Sequence, residues 1–437
     1  FGGPTLRAAK EGRITESTID LAVSRVLTAK LLLGLFEKPC VDAEAAAKVF
    51  DIAEDRALAL EAARKSVVLL KNDGLLPLSK GLGSIAVVGP SADSTRNLLG
   101  DYSYTAHLRC DVDAVPVVSV LKGIEGEVSK QTKVYHAKGC EVIGDSTEGF
   151  TEALEAAKGS DVVVAVVGER SGLSPPDVSG EHRDRSDLGL PGVQEDLLRA
   201  LHETGKPMVV VLVNGRPLSV GWIAENCSAV VEAWLPGEEG GGAVADILFG
   251  DQNPGGSLPI SFPHSVGQIP VNYNRKPSSF GDYISLGSKP LYPFGHGLSY
   301  TIFEYRSLTI TPEMVPVAGK VSVSCEIRNA GERMGDEVVQ LYVGDVVASV
   351  TRPVMELKGF KRLGLEPGEK KRVTFVLSMD QLAFYDLHMR LVVEPGAFRV
   401  SLGSSSEDIR LTGSFDVIGD IKVAPNNRKL FSEVSVQ

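Results

Sequence analysis

Cysteine is scarce and scattered in this chain of 437 residues. The five cysteines, an odd number, include no CxxC pair; they are Cys40, Cys110, Cys140, Cys227 and Cys325. A disulfide framework needs paired cysteines at regular spacings, and a zinc site needs Cys or His ligands close together in the sequence. We therefore predict neither a disulfide framework nor a metal site. Cys227 and Cys325 lie in apolar patterns, which predicts small buried side chains.

The sequence also lacks a basic stripe and a long apolar run. The formal net charge is −11, and no cluster of Lys or Arg indicates phosphate contacts, so we predict no nucleic-acid partner. No apolar stretch is long enough to cross a bilayer, so we predict no membrane span. No signal-peptide pattern is present. The chain starts at Phe1 rather than Met, so we expect a processed or truncated piece, and its start predicts no compartment.

Several catalytic motifs are absent as well. The sequence has no GxSxG nucleophile elbow, no HExxH zinc motif and no GxxxxGK[ST] phosphate loop. The glycine-rich stretch 237–242 lacks the lysine of a phosphate loop, and we interpret it as a helix start that packs closely on its neighbour. A nucleotide-binding α/β protein is therefore disfavoured, and no cofactor is predicted.

What is present is organised around residues 162–194. This stretch begins with a continuous, β-branched apolar run at 162–167, typical of a strand buried on both faces of a parallel sheet. A long polar loop follows Gly168, and a helical pattern covers 193–201. Loops at the carboxyl ends of such strands hold the ligands of open α/β sheets, and one of this length is more often functional than idle.

Strands and helices alternate over residues 44–262, which predicts βαβ units and a largely parallel sheet. The predicted helices cover 44–66, 151–157 and 241–249, with a short helical segment at Leu121, and the predicted strands cover 67–71, 84–89, 133–136, 162–167, 206–214 and 229–233. We place this α/β sandwich domain at residues 43–265. Residues 266–302, rich in Pro, Gly, Ser and Tyr and without periodicity, are expected to form an ordered connector.

From residue 303 the pattern changes to strict alternation of apolar and polar residues. The alternating runs, punctuated by two Pro-Gly turns, cover 321–327, 339–343, 373–377 and 398–402. This pattern predicts an antiparallel, all-β sandwich of the immunoglobulin or fibronectin type at residues 303–415. The polar tail, 416–437, is expected to wrap over another domain.

The first 42 residues contain a helix without a partner. Thr15 can cap a helix that runs through Lys30 or beyond, and apolar residues recur along it at helical spacing before Gly34 and Pro39 end it. One amphipathic helix cannot bury its own apolar face. We therefore expect residues 1–42 to be the end of a domain whose remainder lies upstream of this chain.

Glu181 is the leading candidate for chemistry. It lies in a glycine-flanked loop beside His182, Arg183 and Arg185. A general acid must be held protonated by burial or by a neighbouring negative charge, and nearby cations have the opposite effect. The loop alone therefore does not supply the environment of an acid. The alternative is a solvated loop whose charged side chains pair with each other, and the residues alone leave the two interpretations about even.

Other polar residues occupy positions where chemistry could occur. Glu169 directly follows a strand end, and we favour a structural role in which it pairs with Arg170 or caps the loop. Asp184 and Arg185 are expected to brace the loop rather than react. His296, alone in a glycine turn, is also expected to be structural.

Five segments in order resemble those of family 3 glycoside hydrolases, with the closest likeness to their β-glucosidase and β-xylosidase branch. They are KNDGLLPL (71–78), the SGEHRDR loop (179–185), VNGRPL (213–218), AWLPGEEGGGAVADILFGDQNPGGSLPISFP (233–263) and YPFGHGLSYT (292–301). The resemblance spans essentially the whole chain. It implies a TIM barrel, then an α/β sandwich, then a fibronectin type III-like domain, with residues 1–42 as the barrel's remnant.

The resemblance also implies the exo-acting, retaining hydrolysis of terminal non-reducing β-linked sugars in an oligosaccharide or glycoside. In that chemistry a barrel Asp attacks the anomeric carbon, and a Glu about 5–5.5 Å away protonates the leaving oxygen and then activates water. The family's Glu-x-x-Asp-Arg pattern falls on Glu181, Asp184 and Arg185, which implies that Glu181 is the acid/base and the others support it. The barrel's Ser-Asp-Trp motif is absent, so we expect the chain to be inactive without a barrel segment.

Alternatives remain at this point. A β-xylosidase differs from a β-glucosidase only in a pocket that would lie on the barrel. A non-catalytic carbohydrate-binding or structural module is the competing class, and it would be favoured if Glu181 pointed away from residues 1–42. A Glu181 side chain buried in an ion pair would overturn the acid/base assignment. The oligomeric state is open, with a homodimer as one option.

Overall fold

The computed structural model describes residues 2–108, 115–277, 283–424 and 428–437, so Cys110 lies outside the described residues. The chain divides into two compact units, Phe1–Arg56 and Ala57–Gln437. Among the described residues, none of the helices has both the length and the apolar character that a bilayer crossing requires.

The first unit is helical. It contains α1 (Gly2–Lys10), α2 (Glu16–Leu32) and α3 (Ala46–Val49), and α4 (Ala53–Ser66) begins in it. The predicted cap of α2 is confirmed, because the Thr18 N–H donates to Thr15 Oγ1 at 3.3 Å. No residue of α2 is buried. The helix therefore presents its apolar side chains to solvent.

The single helix predicted over 44–66 is wrong, since α3 and α4 are separate. Between them Asp51 adopts a left-handed backbone conformation with φ 59°, which Asp tolerates better than most residues. Its carboxylate binds Arg56 at 2.7 Å. This local ion pair stabilises the break in the helix.

The second unit begins with an α/β domain. Its elements are β1 (Val68–Asn72), β2 (Ser84–Val88), α5 (Tyr104–His107), α6 (Val120–Glu127), β3 (Lys133–Ala137), α7 (Phe150–Lys158), β4 (Val162–Gly168), α8 (Gln194–His202), β5 (Met208–Val213), α9 (Gly221–Asn226), β6 (Ala229–Glu232) and α10 (Gly240–Phe249). The six strands form one sheet in the order β1-β6-β5-β4-β2-β3. Only β1 runs antiparallel to its neighbour, which confirms the predicted, largely parallel sheet.

Helices cover both faces of this sheet. Side chains of α7, α8 and α9 pack on one face of β4 and β5, and side chains of α6 and α10 pack on the other. Every residue of β4 and β5 is buried as a result. The glycines at the start of α10 allow close packing, because a Cβ on Gly123 of α6 would lie 2.1 Å from the carbonyl oxygen of Gly241. The interpretation of that stretch as a closely packed helix start is confirmed.

The C-terminal part of the unit is an all-β sandwich. Its strands are β7 (Phe303–Thr311), β8 (Met314–Pro316), β9 (Lys320–Asn329), β10 (Gly335–Asp345), β11 (Glu356–Leu365), β12 (Lys370–Ser378), β13 (Phe384–Tyr385), β14 (Leu391–Val393), β15 (Gly396–Gly403), β16 (Ile409–Ile418), β17 (Lys422–Val423) and β18 (Glu433–Val436). They form sheets in the orders β11-β10-β15-β16-β8, β18-β12-β9-β7 and β13-β14-β17. The alternating apolar residues predicted for this domain fill its core.

The tail joins the sandwich instead of covering another domain, so that expectation is wrong for its described residues. Strand β18 pairs antiparallel with β12 (Val373↔Val436, Phe375↔Val434), and β17 pairs with β14. Without β18, β12 would expose a row of unpaired backbone groups. Covering that edge is the physical reason for the observed arrangement.

Cys227, Cys325 and His296 have the structural roles that the sequence predicts for them. Cys227 and Cys325 are buried and free, and burial raises the pKa of each thiol to about 12. The His296 ring lies with Nε2 2.9 Å from the Leu70 carbonyl oxygen and stacks on Tyr292. Burial lowers the pKa of His296. Its contacts join the connector to β1, which is a structural role.

Glu337 is a buried carboxyl group in the sandwich, on β10. Its Oε1 accepts a 2.5 Å hydrogen bond from the Tyr305 hydroxyl. Burial raises the pKa of Glu337 to about 7, against the opposing effects of the Tyr305 hydrogen bond and the Arg410 charge, while the Asp408 charge adds to the rise. This carboxyl group therefore titrates near neutral pH in the folded protein.

Replacing Glu337 by Gln should flatten the pH dependence of the free energy of unfolding between pH 5 and 8. The folded-state pKa lies above that of an exposed Glu, so the folded protein binds the proton more strongly, and stability falls as the pH rises through this range. The difference corresponds to about 3 kcal/mol lost by pH 8. Urea denaturation at several pH values measures it, with the exposed Glu332→Gln as control. Identical pH profiles for Glu337→Gln and the wild type would contradict the assignment.

Candidate active site

Three neighbouring parallel strands end in buried polar residues at the same edge of the sheet. Glu169 directly follows β4, Asn214 directly follows β5, and Glu232 ends β6; all three are fully buried. Asn214 Nδ2 donates to Glu232 Oε2 at 3.2 Å and to the Arg216 carbonyl oxygen at 2.8 Å. Hydrogen bonds thus connect polar residues at the carboxyl edge of the sheet, beneath the loops.

Two arginines converge on the Glu169 carboxylate. Arg185 Nη1 lies 3.2 Å and Arg216 Nε lies 3.4 Å from Glu169 Oε1. Burial raises the pKa of Glu169, and both guanidinium groups oppose that rise. The role is structural, but Arg170 is the wrong partner: its side chain binds Asp177 at 2.8 Å, because the loop folds back on itself.

Arg216 also binds the backbone of the loop that carries Glu181. Its Nη2 donates to the carbonyl oxygens of Val178, at 3.2 Å, and Arg183, at 2.8 Å. Arg183 Nη2 in turn donates to the Leu173 carbonyl oxygen at 2.8 Å. The loop that carries Glu181 is therefore fastened to the buried Glu169 on the side facing the sheet.

Glu181 occupies the turn of this loop between two left-handed residues, Gly180 (φ 110°) and His182 (φ 58°). Position 180 requires glycine, since a Cβ there would lie 2.6 Å from the Gly172 carbonyl oxygen. The Glu181 side chain retains 48% of its solvent exposure, and its Oε1 lies 3.6 Å from His182 Nε2. It is not buried in an ion pair, which is the arrangement that would have overturned the acid/base assignment.

The supporting residues proposed from the motif occupy different environments. Arg185 binds Glu169 and so contributes directly to the anchoring of the loop. Asp184 is exposed to solvent, and a supporting role for it stays a prediction.

Five contributors to the site were not predicted: Asp101, Tyr102, Asn214, Arg216 and Glu232. Asp101 and Tyr102 contact Glu181 from about 80 residues earlier in the chain, a separation that no local pattern reveals. Arg216 lies in the segment 213–218, which the resemblance had singled out without a role. Glu232 carried a usable signal, because a carboxyl group at the end of a buried apolar strand needs a specific partner.

Glu232 holds a strained turn beside the site. Its Oε1 accepts a hydrogen bond from the Trp234 N–H at 2.8 Å, and Trp234 adopts a left-handed conformation with φ 57°. Burial, together with the nearby Glu169 charge, raises the pKa of Glu232 well above its ordinary value. Such strain persists only where surrounding contacts enforce it.

A second acidic cluster lies away from this edge. Oxygen atoms of Glu127, Asp246 and Asp251 lie within 4.8 Å of one another. The Lys80 ammonium binds Glu127 at 2.6 Å and Asp251 at 2.5 Å, and Arg64 binds Asp246 at 2.6 Å. Each of these carboxylates already binds a protein cation, so we interpret the cluster as an ion-pair network.

Comparison with known protein families gives two matches. Residues 67–300 match the glycosyl hydrolase family 3 C-terminal domain, and residues 337–406 match the fibronectin type III-like domain. The two matched segments correspond to the α/β domain with its connector and to the central part of the sandwich.

Individual relatives extend these matches. A β-xylosidase of Formosa agariphila is 47% identical over 89% of this chain and 54% of its own length. A periplasmic β-glucosidase of Salmonella typhimurium is 40% identical over 94% of this chain and 57% of its own length. The crystal structure of a β-glucosidase from Listeria innocua in complex with isofagomine superposes with a TM-score of 0.82, at 34% identity, over 94% of this chain and 57% of that one. The chain thus spans about half the length of the curated relatives it matches.

Replacing Arg216 by Ala should destabilise the α/β domain by about 2–4 kcal/mol, because a buried carboxylate loses one of its cations and two loop carbonyls lose their donor. Urea denaturation measures the loss, and amide hydrogen exchange should become faster at residues 178–183. The control is Lys138→Ala, which removes an exposed ion pair with Glu141 in the same domain and should change stability by no more than about 0.5 kcal/mol. Equal effects of the two substitutions would contradict the anchoring role.

Proposed function

This chain belongs to glycosyl hydrolase family 3, and from that premise we propose that it supplies the acid/base carboxyl group of an exo-acting, retaining β-glycosidase of the β-glucosidase type. Glu181 is that group. The observation that carries the proposal is its geometry: a half-exposed carboxyl group on a tight turn that buried ion pairs hold from below. A solvated charged loop would not need this anchoring.

The proposed reaction has two steps. First, Glu181 gives its proton to the glycosidic oxygen while a nucleophilic carboxylate forms a bond to the anomeric carbon and the leaving group departs. Second, Glu181, now a carboxylate, takes a proton from water as the water oxygen attacks the anomeric carbon and releases the nucleophile. The negative charge of the nucleophile favours the proton on Glu181 before the first step, and formation of the glycosyl ester removes that charge.

We propose that the nucleophile comes from a TIM-barrel segment that is not among these 437 residues. Two observations support this. The chain matches only 54% and 57% of the lengths of two curated relatives. Helix α2 exposes Leu21, Val26 and Leu31, with more than half of each side chain in contact with solvent. Such an apolar face is what a helix of a larger domain would bury.

The substrate class proposed is a terminal, non-reducing β-glucoside. The similarity to β-glucosidases, one of them crystallised with isofagomine, supports it. The similarity to a β-xylosidase at 47% identity makes a β-xyloside the second candidate. The two sugars differ by one hydroxymethyl group. The ratio of kcat/KM for p-nitrophenyl β-glucoside and β-xyloside, measured with the complete enzyme, separates the two candidates.

In the complete enzyme, Glu181→Ala should slow glycosides with poor leaving groups by about 100-fold or more, because those groups need protonation to depart. Activated aryl glycosides should lose far less in the first step, and added azide should restore turnover by replacing water in the second. Steady-state kinetics over a series of leaving groups measures this, with the exposed Glu148→Ala as control. Equal losses on good and poor leaving groups would argue against proton transfer by Glu181.

The isolated chain should not hydrolyse an aryl β-glucoside, because the proposed nucleophile is supplied by another segment. Turnover should appear when the chain is produced together with that barrel segment. The comparison needs both preparations at equal concentration, with Glu181→Ala as a control for contaminating activity. Turnover by the isolated chain that disappears in Glu181→Ala would refute the proposed location of the nucleophile.

A further inference from the structure

The segment 100–107, which is distant from Glu181 in the sequence, contacts Glu181 at two points. The Tyr102 hydroxyl donates to Glu181 Oε2 at 2.9 Å. The Glu181 backbone N–H donates to Asp101 Oδ2 at 2.8 Å. One residue of the segment thus contacts the carboxyl group, and its neighbour contacts the backbone that carries this group.

This segment has its own internal support. The Tyr102 ring stacks on the His107 ring, with 5.5 Å between centroids and 20° between planes. His107 Nδ1 lies 3.2 Å from the Asp101 carbonyl oxygen, and Ser103 Oγ donates to the Gly100 carbonyl oxygen at 2.7 Å. Although Tyr102 is 75% exposed, its ring orientation is therefore set by neighbouring contacts.

We propose that Asp101 and Tyr102 are positioning residues for the acid/base, with Asp101 fixing the backbone of Glu181 and Tyr102 occupying Oε2. Oε1 is then the oxygen that carries the transferred proton. This inference rests on the function proposed for Glu181. It adds a division of labour between the two oxygens and identifies the segment that imposes it.

The hydrogen bond from Tyr102 is compatible with both steps of the reaction. When Oε1 carries the proton, Oε2 still accepts from the phenol. When the group is ionised, the hydrogen bond becomes charge-assisted and stronger, so Tyr102 also holds the carboxylate in place while it activates water. The hydrogen bond with Glu181 raises the pKa of Tyr102, so its hydroxyl remains a donor. The other groups with contacts to Glu181 are Asp101, at its N–H, and His182, beside Oε1.

Tyr102→Phe in the complete enzyme tests the role of the hydroxyl. Without the donor, Oε2 has no partner and the carboxyl group is less well oriented, so kcat on poor leaving groups should fall while KM changes little. Turnover limited by the second step should fall by about 3- to 10-fold. Tyr104→Phe, two residues further on, is the matched control and should keep the wild-type kcat and KM. Thermal unfolding should be unchanged, because Tyr102 is exposed.

Asp101 is tested by two substitutions. Asp101→Ala removes the acceptor for the Glu181 N–H, so kcat on poor leaving groups should fall by about 10-fold while KM changes little. Asp101→Asn keeps a side-chain oxygen that can accept, and should recover most of that loss. Equal losses in Ala and Asn, or a loss in KM alone, would overturn the positioning role of Asp101.

The outcomes distinguish a failure of this inference from a failure of the function proposed for Glu181. If Glu181→Ala shows azide rescue but Tyr102→Phe keeps the wild-type kcat on poor leaving groups, the role of Tyr102 is overturned and the acid/base assignment stands. If Glu181→Ala shows neither azide rescue nor a dependence on the leaving group, both fall. A lower kcat on poor leaving groups with an unchanged KM, in Tyr102→Phe but not in Tyr104→Phe, supports the inference.

Discussion

The structure around Glu181 depends on one buried interaction, the Glu169 carboxylate between the guanidinium groups of Arg185 and Arg216. A carboxylate taken out of water is costly unless cations and donors surround it. The cations here come from the loop itself and from the loop after the neighbouring strand. Satisfying the buried charge therefore determines where the loop lies. The need to pair the buried Glu169 carboxylate with cations thus constrains the position of the exposed Glu181.

The parallel sheet allows one buried ion pair to fix the position of the loop that carries Glu181. Parallel strands all deliver their carboxyl ends to one edge, so residues that follow β4, β5 and β6 meet there although they are far apart in sequence. Helices on both faces bury these strands completely. The polar groups at their ends must therefore pair with each other or with the loops. A rigid base of this kind can hold the exposed Glu181, which needs access to substrate and cannot be fixed by its own burial.

Periodicity and the motif pattern predicted much of this from the sequence. The apolar run at 162–167 is short and β-branched, which favours a strand buried on both faces over a buried helix, and the alternation after residue 303 directly indicates half-buried strands. Three features were not predictable: the break at Asp51 depends on one ion pair, the tail strand on an edge supplied by β12, and the contacts from Asp101 and Tyr102 on tertiary folding. Arg170 was the wrong partner for Glu169 because proximity in sequence says little about loops that fold back.

The central claim is that Glu169 anchors the loop while Glu181 performs proton transfer, and one measurement tests it most directly. The response of Glu169→Gln to azide, measured in the complete enzyme with good and poor leaving groups, shows which carboxyl group handles the proton. A residue that only positions Glu181 should lose activity mainly on poor leaving groups and without rescue by azide, because the Glu181 carboxylate is still present. A loss confined to poor leaving groups and reversed by azide would identify Glu169 as the proton donor and contradict the account.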